Sequence, residues 1–415
     1  MQRSIRPFVL ALAAGVVIST PAWAGGYSFS QIGASGYWGY AAMYAATPAT
    51  DGQTTVLSLP LPSNNSISTL ANTQLETDRL VAHSWNRPPY GSPIPDSSVN
   101  FSRIGTPSIS GGAVAFAGSG GTNADDWQGG IYSNLGGTLK TVASLSTPVP
   151  GASGNFTYFD ENTVTIRGSA VVFSATDADY KWGVYRSLGG AIERLVHADT
   201  APPAIPPGQA PNAPFGYFSD IDYKNGKLGF QSGSGIFVRN ENGSITTVAN
   251  AHTPIPSDHP DSFASNMWDV NLAGDDVIFK WATQWGVGLY RWNEANGIEA
   301  VVDRSAGAPG LGDVVTDLEG NLAFELGGAI YVDDLANPYR RLLGVGDVLA
   351  GKTVVAVDMG NQGLGGGTVA FKAYFDDGSA GLFLANPVGA VPEPETYAMM
   401  LAGLVLLGLA RRRGT

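Results

Sequence analysis

Paired aspartates and tryptophans recur in polar stretches between short apolar runs, and these residue types could bind a ligand. The stretches read GTNADDWQG (121–129), TDADYKWG (176–183), KWATQWG (280–286) and YFDDGSAG (374–381). They hold the carboxylates of Asp125, Asp126, Asp177, Asp179, Asp376 and Asp377 and the indoles of Trp127, Trp182 and Trp285. Aromatic faces suit sugar rings, and carboxylate oxygens suit sugar hydroxyls or Ca²⁺. Gathered on one surface, they would form an acidic, aromatic binding rim. The alternative is structural, because Asp favours turns and Trp packs in cores.

No constellation of catalytic residues accompanies this rim in the sequence. The absence of cysteine excludes disulfides, thiolate metal sites and a cysteine nucleophile. The chain contains no G-x-S-x-G nucleophile elbow, no P-loop and no dinucleotide-binding fingerprint. Its four histidines, His83, His197, His252 and His259, include no H-E-x-x-H pair. We therefore predict no catalytic residue, no metal site and no cofactor, with Ca²⁺ as the one alternative.

The charge of the chain argues against nucleic acid as a partner. Residues 25–391 hold 18 basic and 33 acidic side chains, a net charge of −15. Such a body repels phosphate backbones and anionic membrane surfaces. Only 14% of the residues are charged and 55 of the 415 are glycine, a composition typical of turn-rich all-β proteins.

The N-terminus has the three parts of a secretory signal peptide. Arg3 and Arg6 form a basic region, residues 8–18 are an apolar run, and Ala22-Trp23-Ala24 is a small-x-small cleavage site. We expect export through the Sec machinery and cleavage by signal peptidase after Ala24, which makes residues 1–24 a removable segment.

The C-terminus combines three features in order within residues 389–415. Pro392-Glu393-Pro394 precedes a 14-residue apolar run (397–410), which is followed by Arg411, Arg412 and Arg413. A permanent transmembrane helix needs about 20 residues, so this run can span a bilayer only marginally. Arginines favour the cytoplasmic side, and we expect transient insertion into the inner membrane with the body outside. Proline on both sides of Glu393 keeps the preceding peptide extended and accessible to a protease.

This order of features resembles the PEP-CTERM sorting signal of Gram-negative bacteria that make exopolysaccharide. The resemblance implies recognition by an exosortase, a membrane transpeptidase-like protease that cleaves near Pro392-Glu393-Pro394. It implies a protein that ends at the cell surface or outside the cell. It concerns the destination of the protein and leaves the activity of the body open.

The body, residues 25–388, is built from a repeat of about 50 residues. A glycine turn precedes an alternating strand that ends in phenylalanine, and the six copies place these at Phe116, Phe173, Phe230, Phe279, Phe324 and Phe371. A second strand follows each polar loop, as in GGIY (129–132) and WGVY (182–185), and a further apolar strand follows in most copies. Period-2 alternation with glycine turns indicates antiparallel hairpins of about four strands per copy. Units of this size match the blades of a β-propeller, with the repeated phenylalanine packed between blades.

The sixth copy ends after AGLFLANP (380–387) without its last strand. The stretch DRLVAH (78–83) resembles the corresponding strand ERLVHAD (193–199), so we predict that it completes the last blade and closes the ring. This gives an all-β propeller of six blades, with seven as the alternative if residues 25–75 form another blade. The body also resembles the propeller-like repeat proteins that carry PEP-CTERM tails.

Two functions are compatible with these observations. The first is a non-enzymatic extracellular or cell-surface protein associated with exopolysaccharide or biofilm matrix. The second is a propeller hydrolase or lyase acting on such a polymer, which needs carboxylates that converge at the central channel. We favour the non-enzymatic reading, because two targeting segments and a repeat accompany no catalytic motif.

Overall fold

The computed structural model describes residues 27–34, 47–61, 64–71, 79–83, 92–121, 125–203, 214–233, 235–254, 256, 266–283, 286–303, 310–334, 337–360 and 362–387. In these ranges regular structure consists of strands, which confirms the all-β class. They are β1 (Tyr27–Ala34), β2 (Thr47–Thr50), β3 (Thr54–Leu61), β4 (Asn64–Ala71), β5 (Arg79–His83), β6 (Arg103–Ile104), β7 (Ser108–Ser110), β8 (Ala113–Gly120), β9 (Gln128–Ser133), β10 (Lys140–Ser144), β11 (Tyr158–Phe159), β12 (Thr165–Arg167), β13 (Ala170–Thr176), β14 (Trp182–Leu188), β15 (Ala191–His197) and β16 (Phe218–Lys224). The chain continues with β17 (Lys227–Ser232), β18 (Gly235–Arg239), β19 (Ile245–Ala249), β20 (Asn266–Ala273), β21 (Asp276–Thr283), β22 (Gly286–Asn293), β23 (Gly297–Val302), β24 (Leu311–Thr316), β25 (Leu322–Leu326), β26 (Ala329–Asp334), β27 (Asn337–Gly344), β28 (Val348–Leu349), β29 (Lys352–Asp358), β30 (Leu364–Gly365), β31 (Thr368–Phe375) and β32 (Ala380–Pro387).

Among the described residues the strands form seven antiparallel sheets, which we number as blades 1 to 7 in chain order. Blades 1 to 6 are β2–β5, β6–β10, β11–β15, β16–β19, β20–β23 and β24–β27, and blade 7 combines β28–β32 with β1. The innermost strands β2, β7, β12, β16, β20, β24 and β30 contact one another in that order, and β30 contacts β2. This closed ring is the architecture of a β-propeller.

The blade number corrects the sequence-based expectation of six and agrees with its alternative of seven. The additional blade consists of β2–β5, within residues 47–83. Its second strand, TTVLSLPL, contains threonine, serine and proline and lacks the phenylalanine that recurs in the second strand of the other blades. The repeat motif therefore could not identify it.

The closing strand also differs from the prediction. Arg79–His83 pairs with β4 and is the fourth strand of blade 1, so residues 78–83 do not complete the last blade. The ring is closed instead by β1, which pairs antiparallel with β32 from Tyr27 opposite Pro387 to Ala34 opposite Gly381. The resemblance of residues 78–83 to a fourth strand was real, but that strand belongs to its own blade.

The repeated phenylalanines form the inter-blade core, as the sequence predicts. All six are at most 1% exposed. Each lies directly opposite an aromatic residue of the third strand, as Phe230 lies opposite Phe237 with 5.5 Å between ring centroids. Phe230 also packs in one cluster with Val172 and Val184 of the preceding blade. Aromatic cross-strand pairs of this kind stabilise a sheet and fill the space between blades.

Strand direction gives the propeller two distinct faces. The turns between second and third strands lie on the face where each first strand begins, and we call it the rim face. The turns between first and second strands lie on the opposite base face. There, Asn225 and Gly226 both have positive φ (50° and 80°), the pattern of a type I′ hairpin turn.

Several predicted segments lie outside the described residues. They are the cleavage residues Ala22 and Ala24, the sorting residues Pro392, Glu393, Pro394, Arg411, Arg412 and Arg413, and Trp285 of the predicted rim. In the part of the chain that is described, no helix is long and apolar enough to cross a membrane.

Candidate functional site

Three aromatic side chains from blades 3 and 4 form a continuous surface on the rim face, which we call the aromatic platform. Trp182 lies between Tyr158 and Tyr217, with ring centroids 5.7 Å and 4.7 Å away and rings nearly perpendicular. Tyr158 is 50% exposed and Tyr217 is 46% exposed, while Trp182 is half-buried. Large aromatic rings held together at the surface are a common feature of binding sites.

The three platform residues lie at or directly before the beginnings of their strands, and the alternation of side chains along each strand points the tyrosines to the surface. Tyr158 begins β11 opposite Thr176, and Trp182 begins β14 opposite the same threonine, so the two strands begin at the same level of the rim face. Tyr217 directly precedes β16. The next residues, Phe159 and Phe218, are buried in the blade cores, and period-2 alternation turns the tyrosines outward.

A hydrogen bond between blades fixes the orientation of the platform. The hydroxyl of Tyr217 donates to Oδ2 of Asp160, which is buried at the start of blade 3. The other oxygen, Oδ1, accepts the backbone N–H of Asn162 at 2.8 Å. Burial raises the pKa of Tyr217, and its bond to the Asp160 carboxylate raises it further.

Further carboxylates continue from Asp160 along the centre of the ring, and we call them the carboxylate arc. Its members lie on innermost strands or beside them, at the rim-face end: Asp160, Asp220, Asp269, Asp313, Glu325 and Asp358. Asp220 and Asp269 adopt positive φ (47° and 61°) where the register of β16 and β20 skips. Aspartate tolerates this conformation, which explains its place in these bulges.

Backbone groups and two lysines hold the arc in place. Asp220 accepts the N–H of Asp269 in the next blade, and Glu325 accepts the N–H of Met359 at 2.5 Å. The ammonium group of Lys280 bonds Asp269 at 2.5 Å, and Lys372 bonds Asp358 at 2.9 Å. Among the described residues, the six carboxylates of the arc outnumber the two lysines that pair with its members, so this end of the channel is acidic.

Four carboxylates of the arc have raised pKa values. Desolvation by the surrounding protein raises the pKa of Asp269 and of Asp313, and also that of Asp220, whose side chain keeps an exposed part. Burial, with the nearby charges of Asp313 and Asp358, raises the pKa of Glu325 to about 7.

Asp313, Glu325 and Asp358 are the described residues whose geometry could hold a divalent cation. One oxygen from each lies within 4.8 Å of the others, and all three side chains are partly exposed. Oxygen-only ligands of this kind match Ca²⁺ in type, but three carboxylates leave half or more of its six to eight positions to other ligands.

The opposite end of the channel is closed by buried polar groups. The ammonium group of Lys224 donates to the carbonyl oxygens of Leu272 (2.7 Å) and Thr316 (2.9 Å) and pairs with Asp222 at 2.9 Å. A cavity of about 60 Å³, which Arg167 and Thr316 help to line, lies at this end. This cavity has room for only a few waters.

Of the predicted rim residues that the structure describes, all except Asp177 are exposed or half-buried on the rim face. Trp182 joins the platform, and Trp127, which is 43% exposed, lies at the corresponding turn of blade 2. Asp125, Asp179, Asp376 and Asp377 are exposed, and Asp126 is half-buried, on turns of the same face. The carboxylate of Asp377 bonds Ser379 of its own turn and pairs with Lys352 at 2.8 Å.

Asp177 departs from the predicted rim, because it is only 3% exposed. Its Oδ1 accepts the backbone N–H groups of Asp179 and Lys181, both at 2.9 Å. Its Oδ2 lies 3.1 Å from Nε2 of buried His197, whose Nδ1 accepts the N–H of Asp199. The turn-forming role of aspartate thus applies here, and Asp177 is structural.

Sequence reasoning missed Tyr158, Tyr217 and the carboxylate arc. The available signal was positional: Asp220 and Asp269 each lie ten residues before a repeat phenylalanine, and Asp313 lies eleven before one. Aspartates at matching repeat positions on innermost strands converge when the ring closes.

Comparison with known proteins agrees with the predicted sorting signal. Residues 390–413 match the PEP-CTERM protein-sorting motif, and residues 83–251 match a family of unknown function, DUF7453. The C-terminal motif implies that the chain is exported, processed by an exosortase and located at the cell surface. No curated protein sequence matches it.

Among solved structures, the chain is similar to the β-propeller domain of the Trilobed protease from Pyrococcus furiosus, with 11% identity, a TM-score of 0.48 and coverage of 84% of this chain and 98% of that one. It is also similar to an oligogalacturonate lyase in complex with manganese, with 9% identity, a TM-score of 0.46 and coverage of 89% and 95%. A puromycin-hydrolysing peptidase of Mycobacterium tuberculosis has 12% identity and a TM-score of 0.49, with coverage of 85% and 53%.

Proposed function

We propose that this protein is a non-catalytic binding component of the extracellular matrix that attaches to exopolysaccharide through its aromatic platform. The protein is exported through the Sec machinery, and signal peptidase removes residues 1–24. The C-terminal segment then inserts transiently into the inner membrane, where an exosortase processes the chain. The body requires no cofactor in this role.

The observation that carries the proposal is the exposed contact of Tyr158, Trp182 and Tyr217. Their rings present apolar faces of the size of a sugar ring, and the strands beneath them are anchored by the buried Phe159 and Phe218. Preorganised aromatic side chains lose little conformational entropy on binding, which favours them as anchors in recognition sites.

The edge of the platform supplies polar groups that match a sugar. The Tyr217 hydroxyl is held in place by the buried Asp160, and the carboxylate of Asp179 is exposed on the adjoining turn of blade 3. Carboxylate and hydroxyl oxygens accept hydrogen bonds from sugar hydroxyls, so one site combines ring stacking with polar recognition.

One observation favours a second candidate, a hydrolase or lyase acting on extracellular polysaccharide. Glu325, with a pKa of about 7 next to Asp313 and Asp358, has the proton affinity expected of a general acid. In that case the arc would be the catalytic site and the platform a substrate subsite. The first candidate is preferred because the Glu325 carboxylate is held by the backbone N–H of Met359 within the blade contact.

A binding titration combined with a viscosity measurement separates the two candidates. The secreted mature protein is titrated calorimetrically against the exopolysaccharide of its own host, in Ca²⁺ and in chelator, and the viscosity of the polymer is followed for hours. Saturable binding at constant viscosity, unchanged by chelator, is the expected result. A fall in viscosity that Glu325→Gln abolishes would establish the enzyme instead, and absence of binding would contradict the first candidate.

A further inference from the structure

The two ends of the described body meet at one edge of one blade. Tyr27, the first residue of β1, lies opposite Pro387, the last residue of β32. Tyr27 follows the predicted cleavage residue Ala24 by three positions, and the sorting motif begins at residue 390. Both export segments therefore join blade 7 at the same point.

The direction of β32 identifies the face at which they join. The strand begins at Ala380, directly after the rim-face turn that follows β31, and it runs to Pro387 on the base face. The aromatic platform lies at the opposite end of the strands, where β11, β14 and β16 have their rim-face ends. The tail and the platform therefore occupy opposite faces of the propeller.

We propose that the chain held at the inner membrane turns its base face toward the bilayer and exosortase and presents the aromatic platform away from the membrane. This rests on the transient insertion stated in the proposed function. The ligand site is then accessible before the sorting reaction releases the protein, and the sorting enzyme meets the base-face edge of blade 7.

The length of the tether supports this orientation. Nine residues, 388–396, separate Pro387 from the apolar run, and even fully extended they reach only about 30 Å. To bring the rim face to the membrane, the tether would have to run back along the eight residues of β32, a distance of about 27 Å. That path consumes almost the whole tether and requires complete extension, which is entropically unfavourable.

The natural absence of cysteine permits a direct test by labelling at single introduced cysteines. Ser169 and Ala178 form a matched pair, because both are exposed small residues near the two ends of β13, Ser169 on the base face and Ala178 on the rim face. The variants Ser169→Cys and Ala178→Cys are expressed as full chains in host cells without exosortase. Each is labelled in spheroplasts with a bulky polyethylene-glycol maleimide.

The expected result is a several-fold slower reaction of Ser169→Cys in the membrane-held chain than in the processed soluble protein. Ala178→Cys should react at the same rate in both. Slower labelling at Ala178→Cys, or equal rates for the two forms at both positions, would overturn the orientation. Recovery of the precursor in the soluble fraction would contradict the tether itself, while the polysaccharide titration would still decide the binding role.

Discussion

The hydroxyl of Tyr217 in blade 4 donates a hydrogen bond to the carboxylate of Asp160 in blade 3. This contact joins the aromatic platform to the carboxylate arc and crosses the boundary between two blades. It holds the Tyr217 ring against Trp182 and anchors that ring to a buried carboxylate. The binding surface is therefore a product of blade packing as well as of local strand sequence.

Removing that hydrogen bond while keeping the ring should weaken binding only moderately. Tyr217→Phe removes the hydroxyl that donates to Oδ2 of Asp160, and we expect a loss of about 1 kcal/mol, or roughly fivefold in affinity for exopolysaccharide. Tyr217→Ala should lose more, because the stacking surface is also removed. Calorimetric titration of both variants measures the difference, and wild-type affinity in both would exclude Tyr217 from the site.

Asp177 should affect stability without affecting binding. In Asp177→Asn the new NH₂ group faces the Nε2–H of His197, whose tautomer is set by the N–H of Asp199 on Nδ1. Two buried donors then face each other, and we expect a loss of about 1–3 kcal/mol in the free energy of unfolding.

Asp179→Asn is the matched control for this change, because Asp179 is exposed two residues along the same turn. Urea denaturation of both variants gives the comparison. A large loss of polysaccharide affinity in a folded Asp177→Asn variant would return Asp177 to the binding rim.

The sequence predicted the fold better than the site because the two depend on different kinds of information. The cross-strand partner of Phe230 is another aromatic at a fixed hairpin spacing, so local periodicity was sufficient. Trp182 and Tyr217 belong to different blades. The length of the segment that links those blades does not predict which of their residues come into contact. Sequence reasoning therefore found Trp182 but could not find its partner.

The count of blades failed for a related reason. Blade 1 uses Thr54–Leu61 as its second strand, in which the repeat phenylalanine is absent. Ring closure requires only a four-stranded sheet of the right shape, so a blade can lose the motif without losing its place. The long-range pairing of β1 with β32 is set by closure of the whole ring, which no local pattern encodes.

Glu325 should make the stability of the protein depend on pH. Burial raises its pKa from 4.5 to about 7, so between these values the folded protein binds more protons than the unfolded chain. Stability contributed by this group is present below pH 4.5 and is lost as the pH rises toward 7.

Glu325→Gln removes this dependence, and we expect the variant to gain about 1–3 kcal/mol relative to wild type between pH 5 and pH 7.5. Free energies of unfolding measured across this range test the sign. A difference that stays constant with pH would show that Glu325 has an ordinary pKa.

The repeat phenylalanines should dominate the stability of the blades. Phe230 is fully buried and packs on Phe237, Phe218 and Phe215, so Phe230→Ala should cost about 3–5 kcal/mol in the free energy of unfolding. Leu188→Ala, at a side chain 45% exposed, should remain within about 0.5 kcal/mol of wild type. Equal denaturation midpoints for the two variants would contradict the inter-blade core.

The measurement that tests the central claim most directly is the affinity of Trp182→Ala and Trp127→Ala for host exopolysaccharide. Both tryptophans lie at second-to-third-strand turns of the rim face, but among the described residues only Trp182 has ring contacts with exposed tyrosines. The platform model predicts a loss of at least about 2 kcal/mol, roughly thirtyfold, for Trp182→Ala, with both proteins folded. It predicts a much smaller change for Trp127→Ala. Equal affinity of the two variants, whether both retained or both lost, would contradict the aromatic platform as the binding site.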